Sequence, residues 1–311
     1  MTSAGADWLE DLRGLAFGVA YRMLGSVADA EDIAQETVLR VHNVVDGGER
    51  LESPRAYATT VATRLSIDLL RSARVQRERY HGEWLPEPLV ADLESDPAGS
   101  VEMADSLSMA FLVLLETLSP EQRAAFLLQD VFEYGYDEVA AIVGTSEANA
   151  RQLAARARRH LRERRPRYDA PPERREELAS RFLAAALEGD VDGLEALLAE
   201  DVVLHGDGGG KVPALARSLS GREKVARVLV HWATLGRQTP GVSVRPVVVN
   251  GQPGFMALDG EGRLVNVMAL EFSGDLISEV HSIVNPDKLQ HLGPVGDMRA
   301  LLASFMGERR G

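Results

Sequence analysis

Gly144, placed between two short helical patterns, is the feature that most constrains how this chain can fold. The apolar periodicity before it predicts a helix over residues 137–143, and glycine can take the positive φ of a helix C-cap. Ser146 suits the N-cap of the next helix. The apolar stripe of that helix recurs at helical spacing and comprises Ala150, Leu153, Ala154, Ala157 and Leu161. Together these patterns predict a helix-turn-helix within residues 120–165.

The opposite face of the second helix is cationic. On a helical wheel the side chains that gather there or at its edge are Arg151, Gln152, Arg156, Arg158, Arg159 and Arg162. A helix-turn-helix whose second helix carries an outward cationic face is typical of DNA-binding proteins. Taken alone, the pattern leaves open an ordinary surface helix with a solvated Arg-rich face.

The distribution of charge narrows this choice. The net charge of the 311 residues is −13, which argues against a free-standing, non-specific DNA-binding protein. The positive charge is concentrated in two clusters, residues 71–79 and 151–167, with an acidic stretch between them. Lysine is absent before Lys211, so both clusters are built from arginine, the better residue for phosphate and guanine contacts. The charge pattern indicates DNA binding that depends on a partner.

The absence of cysteine excludes disulfides, thiolate metal sites and thiol nucleophiles, and it fits a reducing cytoplasm. The first residues do not have the pattern of a signal peptide, and no apolar run approaches transmembrane length. From these features we expect a cytoplasmic protein that does not interact with a membrane.

Helical patterns also cover the N-terminal part of the chain, with N-caps predicted at Ser26 and Ser53. The helix after Ser26 is predicted to turn Ile33, Thr37 and residues 39–41 inward. Its outer face carries acidic and amide side chains, namely Asp29, Glu31, Asp32, Gln35 and Glu36. The helix after Ser53 runs into the first basic cluster, and its candidates for nucleic-acid contact are Arg64, Arg71, Arg74 and Arg77.

Three motifs in this order, the second made of two segments, resemble bacterial extracytoplasmic-function sigma factors. They are the acidic segment 29–40, the segments 54–57 and 64–71, and the helix-turn-helix. Three motifs in the right order are far more specific than any one of them. The resemblance implies two all-α sigma domains, of which the acidic helix binds core RNA polymerase. It also implies that the basic third helix melts and binds the minus-ten element, and that the helix-turn-helix binds the minus-thirty-five element.

Two positions depart from the family pattern. Many members carry tryptophan where Tyr57 stands and asparagine where Arg64 stands, so base preferences at the melted element cannot be transferred to this chain. The spacing of Tyr57 and Val61 favours a place for Tyr57 in the core. The promoter sequence stays open.

The sequence changes character after Pro171 and Pro172. Two helices are predicted within residues 178–198, and strand patterns follow at 201–205, 242–249, 254–258, 264–272 and 276–284. Hairpin turns are predicted at residues 250–251, 259–260 and 273–275. This order predicts an α+β domain with a curved sheet folded over a helix. The segments 188–193 and 198–204 resemble the SnoaL-like (NTF2-like) cone.

Sigma factors fused to such a cone form the SigJ-like subgroup, and the segments 84–88, 207–211 and 285–288 resemble its signatures. The resemblance implies a regulatory contact made by Trp84, Pro86, Asp207, Gly208, Gly209, Gly210, Lys211, Asn285, Pro286, Asp287 and Lys288. Plainer alternatives stay open for each segment. They are a local turn at 84–88, a flexible connection at 207–211 and a strand terminator at Pro286.

Four groups in the C-terminal part have the chemistry of acids or bases: His205, Asp207, His231 and His281. A lone histidine on a strand is more often a hydrogen-bonded core or rim residue than a catalyst, and Glu271 and Glu279 can equally face solvent. His205 and Asp207 are residue types that bind metals, but no third ligand has convincing spacing. We therefore assign no catalytic residue, no metal and no cofactor.

The prediction is thus a multidomain chain. It comprises a sigma region 2 domain (1–79), a linker (80–100), a region 4 helix-turn-helix domain (101–168), a linker (169–173), a SnoaL-like regulatory domain (174–290) and a mobile C-terminal tail (291–311).

From this organisation we expect an alternative sigma factor, with no catalysis of its own, whose partners are core RNA polymerase and promoter DNA. The cone is expected to modulate its activity in place of a separate anti-sigma protein. Whether the cone binds a small-molecule ligand stays open. Two alternatives remain: a regulator that binds DNA without polymerase, and a SnoaL-like isomerase or hydrolase fused to DNA-binding helices.

Overall fold

The computed structural model describes residues 3–48, 50–77, 80, 82–91, 106–162 and 170–302, without the side chains of residues 3–7 and 73–77. The chain forms two compact units. The first unit comprises residues Met1–Glu78 and Leu112–Arg165, and the second comprises Arg79–Phe111 and Pro166–Gly311. The segment that links the two helical parts of the first unit therefore packs as part of the second.

The first unit is helical. Its elements are α1 (Ser3–Leu24), α2 (Val27–Asp46), α3 (Pro54–Arg77), α4 (Met109–Leu115, which begins in the second unit), α5 (Pro120–Phe126), a π-helical turn (Leu127–Val131), α6 (Tyr136–Val143) and α7 (Glu147–Arg162). Side chains cap the helices where the sequence predicts it. Ser26 accepts from Asp29 N at 3.2 Å, and Ser53 accepts from Ala56 N at 3.2 Å.

Helices α6 and α7 form the predicted helix-turn-helix. Gly144 has φ 78°, the left-handed conformation of a C-cap, and the Ser146 hydroxyl accepts from Asn149 N at 3.3 Å. The residues of α7 that are buried are Ala150, Ala154, Ala157 and Leu161. The prediction of this element is confirmed. It could be made from the sequence because a glycine C-cap, an N-cap and an apolar stripe are all local signals.

One sequence prediction for α2 is wrong. Ile33, Thr37 and Val41 are buried as predicted, but Leu39 is 52% exposed and Arg40 also faces solvent. Each residue turns an α-helix by about 100°, so position 39 points away from the face shared by positions 37 and 41. Tyr57 packs beside the core residues Leu12, Val41 and Ala58.

The second unit is the α+β domain together with the linker that precedes α4. Its elements are β1 (Val90–Ala91), α8 (Pro172–Glu188), α9 (Val191–Leu197), β2 (Leu198–Asp207), β3 (Leu219–Ser220), α10 (Arg222–Gln238), β4 (Ser243–Val249), β5 (Gln252–Leu258), β6 (Leu264–Ser273), β7 (Leu276–Ile283) and two 3₁₀ turns (Pro286–Lys288 and Gln290–Leu292). The sheet order is β1-β4-β5-β6-β7-β2-β3. Asn250 and Gly251 have positive φ, as the predicted hairpin turn requires.

The two faces of this sheet have different coverings. Alternate strand residues point to opposite faces, and Leu204, Phe255, Leu270 and Val280 belong to the core that the helices α8–α10 complete. We call this the inner face. The outer face carries polar groups, and linker residues cover part of it, as described below.

Two features of this unit differ from the sequence prediction. Helix α10 interrupts the strands, and β2 pairs in parallel with β7. The segment predicted as a mobile tail begins inside the fold, since Val295 bridges to Leu264 and Gly296 N donates to Leu264 O at 2.8 Å. Among the described residues, no helix is both long and apolar enough to cross a bilayer.

Candidate functional site

The exposed face of α7 carries five of the six residues of this helix that are predicted to contact DNA. Arg151, Gln152, Arg156, Arg159 and Arg162 are exposed. The Arg151 guanidinium lies over the Tyr136 ring, 4.6 Å from its centroid, and also pairs with Glu147. These contacts orient Arg151 at the start of the helix without burying it.

Arg158 is placed differently from its neighbours. It is half-buried and donates from Nε to Asp130 at 2.7 Å and from Nη2 to the Tyr136 hydroxyl at 2.7 Å. Burial acts to lower the pKa of Arg158, but the hydrogen bonds to Tyr136 and Asp130 outweigh it and raise the pKa above its ordinary value. In this structure Arg158 ties α7 to the preceding helices.

Two arginines predicted for the minus-ten element contact the second helical region. Arg64 donates to the carbonyl oxygens of Ile142 at 3.0 Å and Ala141 at 2.8 Å, the last turn of α6. A cation is favourable there because helix C-termini carry partial negative charge. Arg71 pairs with Glu121 at 2.8 Å. The side chains of Arg74 and Arg77 lie outside the described residues.

The predicted polymerase-binding face of α2 is partly self-paired. Glu31 pairs with Arg13, and Glu36 pairs with Arg40 at 2.7 Å, whereas Asp32 and Gln35 are exposed. Asp29 is half-buried at the first turn. Leu39 continues the exposed face that Asp32 and Gln35 begin, at helical spacing, so the face combines acidic, amide and apolar groups.

Asp207, at the end of β2, is the centre of a hydrogen-bond cluster that holds the linker. Its side chain is fully buried and accepts from four donors. The Tyr80 hydroxyl lies at 2.5 Å and Gly209 N at 3.0 Å from Oδ1, while Leu85 N lies at 2.9 Å and Lys288 Nζ at 2.7 Å from Oδ2. We call Asp207, Asn285 and Lys288, with Tyr80 and Leu85, the linker clasp.

Lys288 completes the clasp from the other side. Its ammonium donates to the Leu85 carbonyl as well as to Asp207, and it lies 4.2 Å from the centroid of the Trp84 ring and 5.0 Å from that of Tyr80. Asn285 Nδ2 donates to the Tyr80 hydroxyl at 2.8 Å. Burial, with the Asp207 carboxylate beside it, raises the pKa of the Tyr80 hydroxyl, which therefore stays protonated as a donor.

The glycine loop 207–211 is shaped to fit against the turn 285–288. Gly209 has φ 59°, and a Cβ built there would lie 2.4 Å from Asn285 Nδ2. Lys211 pairs with Asp287 at 2.6 Å on the surface. Leu85, Pro86 and Pro88 are buried in the second unit. The segments 84–88, 207–211 and 285–288 are therefore brought together in one place.

Further along, the linker stays on the sheet. Strand β1 pairs antiparallel with β4, and Leu89 N donates to Asn250 Oδ1 at 2.9 Å. The buried Glu271 carboxylate accepts from Ala110 N at 2.9 Å, close to the start of α4. The described parts of the linker are thus held at both ends, near Tyr80 and near Ala110.

Three of the groups weighed as acids, bases or ligands stand together on the outer face. His205 and His281 are register partners across β2 and β7, with stacked rings whose centroids are 4.8 Å apart, and Glu279 lies beside both. Burial lowers the pKa of His281 below its ordinary value. Burial acts to raise the pKa of Glu279, but His281 and His205 outweigh it and lower the pKa. Glu83 of the linker bonds His205 Nδ1 at 2.6 Å.

The inner side of the sheet holds a separate apolar cavity of about 480 Å³. Its lining includes Phe182, Trp232, Phe255, Met268 and Leu301. The polar residues among its described lining are Arg237, Thr239 and Asn266. Such a cavity matches the size and polarity of a small-molecule site.

Comparison with known proteins defines the class of this fold. The sigma-70 region 2 model matches residues 8–75, the sigma-70 region 4 model matches 108–161, and the SnoaL-like domain model matches 179–281. Two all-helical sigma domains place the chain in the class of sigma factors for transcription initiation, here with a SnoaL-like domain after them.

Whole-chain relatives give the family. The chain is 38% identical over 301 residues to the ECF RNA polymerase sigma factor SigJ of Mycobacterium tuberculosis, covering 94% of this chain and 95% of that protein. It is 30% identical over 282 residues to the probable ECF RNA polymerase sigma factor SigI of that species, covering 90% and 93%. The crystal structure of M. tuberculosis extracytoplasmic function sigma factor SigJ matches with a TM-score of 0.75 at 37% identity, covering 92% of this chain and 98% of that chain. The chain belongs to the extracytoplasmic-function (ECF) sigma factors, a family whose members bind core RNA polymerase and promoter DNA.

Sequence reasoning missed several residues of these sites. It did not assign a contact to Tyr80 or Glu83, because their partners Asp207 and His205 are distant in sequence. Leu39 was placed on the wrong face of α2. Trp84 and Leu85, followed by prolines, are the local signal that this linker is more than a spacer.

Proposed function

We propose that the SnoaL-like domain regulates this sigma factor by holding the linker between its two promoter-binding regions. The observation that carries the proposal is the linker clasp. Asp207 and Lys288 satisfy the polar groups of Tyr80 and Leu85 in a buried place. A linker held in this way restricts the distances that regions 2 and 4 can span.

The contacts between regions 2 and 4 support the same proposal. Arg64 and Arg71 are candidates for the minus-ten element, and here both bond to region 4. Promoter binding by Arg64 and Arg71 competes with these bonds for the same guanidinium donors. Separation of the two regions, which a released linker permits, removes this competition. Any partner that favours the released linker shifts the balance toward the separated state.

Core polymerase contact is assigned to the exposed face of α2. We expect Asp32→Lys combined with Gln35→Lys to weaken core polymerase binding at least about 10-fold, equivalent to ~1.4 kcal/mol. The substitutions place two cations on a face where the exposed side chains of Asp32 and Gln35 are acidic and neutral. Binding of labelled sigma factor to purified core enzyme measures the effect. Asp46→Lys, exposed at the far end of the same helix, is the matched control, and equal losses in both variants contradict the assignment.

Promoter contact is assigned to the exposed face of α7. In the holoenzyme we expect Arg156→Ala and Arg159→Ala each to weaken promoter binding, because each loses a phosphate or base contact. Removal of a phosphate contact reduces the magnitude of the slope of log affinity against log salt concentration by about 1. A base contact instead relaxes specificity at one position by about 1–3 kcal/mol. Salt titrations on a promoter selected from a random-sequence library with the holoenzyme distinguish the two, and wild-type behaviour in both variants contradicts the assignment.

Transcription with purified core polymerase tests the regulatory role. Lys288→Met removes the ammonium that bonds Leu85 and Asp207, and we expect it to raise the transcript yield from the selected promoter several-fold. Lys211→Met, which breaks only the exposed pair with Asp287, is expected to leave the yield unchanged. Loss of transcription in Lys288→Met with core binding intact, or an unchanged yield, contradicts a restraining clasp. No promoter-dependent transcript from any variant contradicts the assigned polymerase and promoter surfaces together.

We assign the SnoaL-like domain a binding role and no catalysis. His205, Asp207 and His281 are on the outer face, whereas the apolar cavity opens on the inner side, and His231 is exposed on α10. The cavity supports binding of a largely apolar small molecule. Turnover that is lost on changing His205, Asp207 or His281 would favour the enzyme alternative.

A further inference from the structure

The cluster on the outer face has the ligand set of a metal site. His205 and His281 face each other across the parallel pair β2 and β7, and Glu279 lies two residues before His281, on the same side of its strand. One ligand atom from each of the three lies within 4.8 Å of the others. Glu279 Oε2 is 3.6 Å from His205 Nε2 and 3.1 Å from His281 Nε2. Two ligand atoms about 2.1 Å from a tetrahedral ion lie about 3.4 Å apart, close to the two distances measured from Glu279.

His281 is a buried group whose polar atoms are unsatisfied. Its side chain is fully buried, and neither ring nitrogen makes a hydrogen bond with the described residues. The Glu279 carboxylate, with Oε2 at 3.1 Å from Nε2, is an ion-pair partner of this ring. An unsatisfied polar group costs free energy when it is buried. An imidazole held beside a carboxylate and a second imidazole is satisfied by a cation that all three share.

We propose that His205, Glu279 and His281 bind a divalent transition-metal ion, with Glu83 of the linker orienting His205. Two imidazoles and one carboxylate are ligands that suit Zn²⁺ and Fe²⁺ and leave a coordination position open. Glu83 Oε1 lies 2.6 Å from His205 Nδ1, which leaves His205 Nε2, 3.6 Å from Glu279 Oε2, as the nitrogen for the ion. A carboxylate on the distal nitrogen of a ligating histidine is the usual outer partner in such sites.

The site lies beside the linker clasp. Glu83 directly precedes Trp84 and Leu85, which contact Lys288 and Asp207. A metal that fixes the His205 ring also fixes the partner of Glu83, and it strengthens the hold on the linker. This coupling rests on the proposed function of the clasp, whereas metal binding itself does not.

Metal titration of the full chain tests the site. Tag-free protein is stripped with EDTA, dialysed, and titrated with Zn²⁺ by calorimetry and with Co²⁺ by visible absorption. We expect one equivalent of each ion and Co²⁺ bands of a low-coordinate nitrogen and oxygen site. His281→Gln and Glu279→Gln should each lower Zn²⁺ affinity at least about 100-fold, and Glu83→Gln about 10–100-fold. His231→Gln and His42→Gln, which change exposed histidines outside the cluster, should bind as wild type.

The outcomes separate the site from the proposed function. Absence of stoichiometric Zn²⁺ and Co²⁺ binding by the wild-type chain overturns the metal site. Binding that survives both His281→Gln and Glu279→Gln also overturns it. Circular dichroism checks that the variants are folded, and Glu83→Gln provides a test at the linker that leaves the strands unchanged.

Hydrogen exchange of residues 82–91 tests the coupling. Saturating Zn²⁺ should slow exchange of these amides in the wild type, but not in His281→Gln. Stoichiometric binding with unchanged exchange overturns the coupling and leaves the metal site standing. A transcriptional effect of Lys288→Met without metal binding supports the clasp and overturns the metal site.

Discussion

Asp207→Asn is expected to lower the free energy of opening of the second unit by about 3–5 kcal/mol, the usual cost of breaking a buried ion pair from one side. The Asp207 carboxylate accepts from four donors and pairs with Lys288, whose side chain is 7% exposed. Asparagine keeps the shape but offers one acceptor oxygen. Its amide group would face donors, and Lys288 would keep a buried charge without its partner carboxylate.

Native-state hydrogen exchange measures this change, because amides of β2 and β7 exchange when the unit opens. Each ~1.4 kcal/mol makes exchange about tenfold faster, so an acceleration of about 100-fold or more is expected. Lys211→Met is the control within the same loops. Its pair with Asp287 is more than half exposed, and such pairs contribute about 1 kcal/mol or less. Acceleration of less than tenfold in Asp207→Asn would contradict the central place of this carboxylate.

Arg123→Met is expected to destabilise the first unit by about 3 kcal/mol. The Arg123 side chain is 3% exposed, pairs with Glu116 at 2.7 Å and donates to the carbonyl oxygen of Met23. Met23 stands in the last turn of α1, where carbonyl groups lack intrahelical partners. Methionine fills similar volume but leaves both the carbonyl and Glu116 without this donor.

The expected result is faster exchange at the end of α1 and a weaker contact between regions 2 and 4. Exchange of residues 19–24 and of α5 measures both. Arg40→Met is the control, since the exposed pair of Arg40 with Glu36 spans one helical turn and contributes a few tenths of a kcal/mol. Equal exchange in Arg123→Met and Arg40→Met would show that the buried guanidinium does not hold the regions together.

Much of the fold follows from local signals. The helix-turn-helix depends on Gly144, Ser146 and an apolar stripe, all within one short segment. The turn at Asn250 and Gly251 depends on positive φ, which these residue types tolerate. Such elements are predictable because the sequence that specifies them is contiguous.

Other parts of the fold differ from the sequence prediction. Helix α10 carries a local signal, since Val225, Ala226 and Leu229 are buried at helical spacing, but it lies between segments with strand patterns. The relation of His205 to His281 depends on a parallel pairing of β2 with β7, and strand sequences alone do not specify their neighbours or register. His205 and Asp207 suggested metal ligands by spacing, but Glu279 and His281 complete the proposed set instead.

By itself the sequence determined most of the helices, turns and strands, although not helix α10, and it indicated the sigma-factor family through motifs in order. These are properties of residues near one another along the chain. The tertiary structure alone decided that Arg64 and Arg71 bond to region 4, and that Tyr80 and Leu85 meet Asp207 and Lys288. Long-range contacts depend on which surfaces fold against each other, because a buried charge finds its partner in space and not along the sequence.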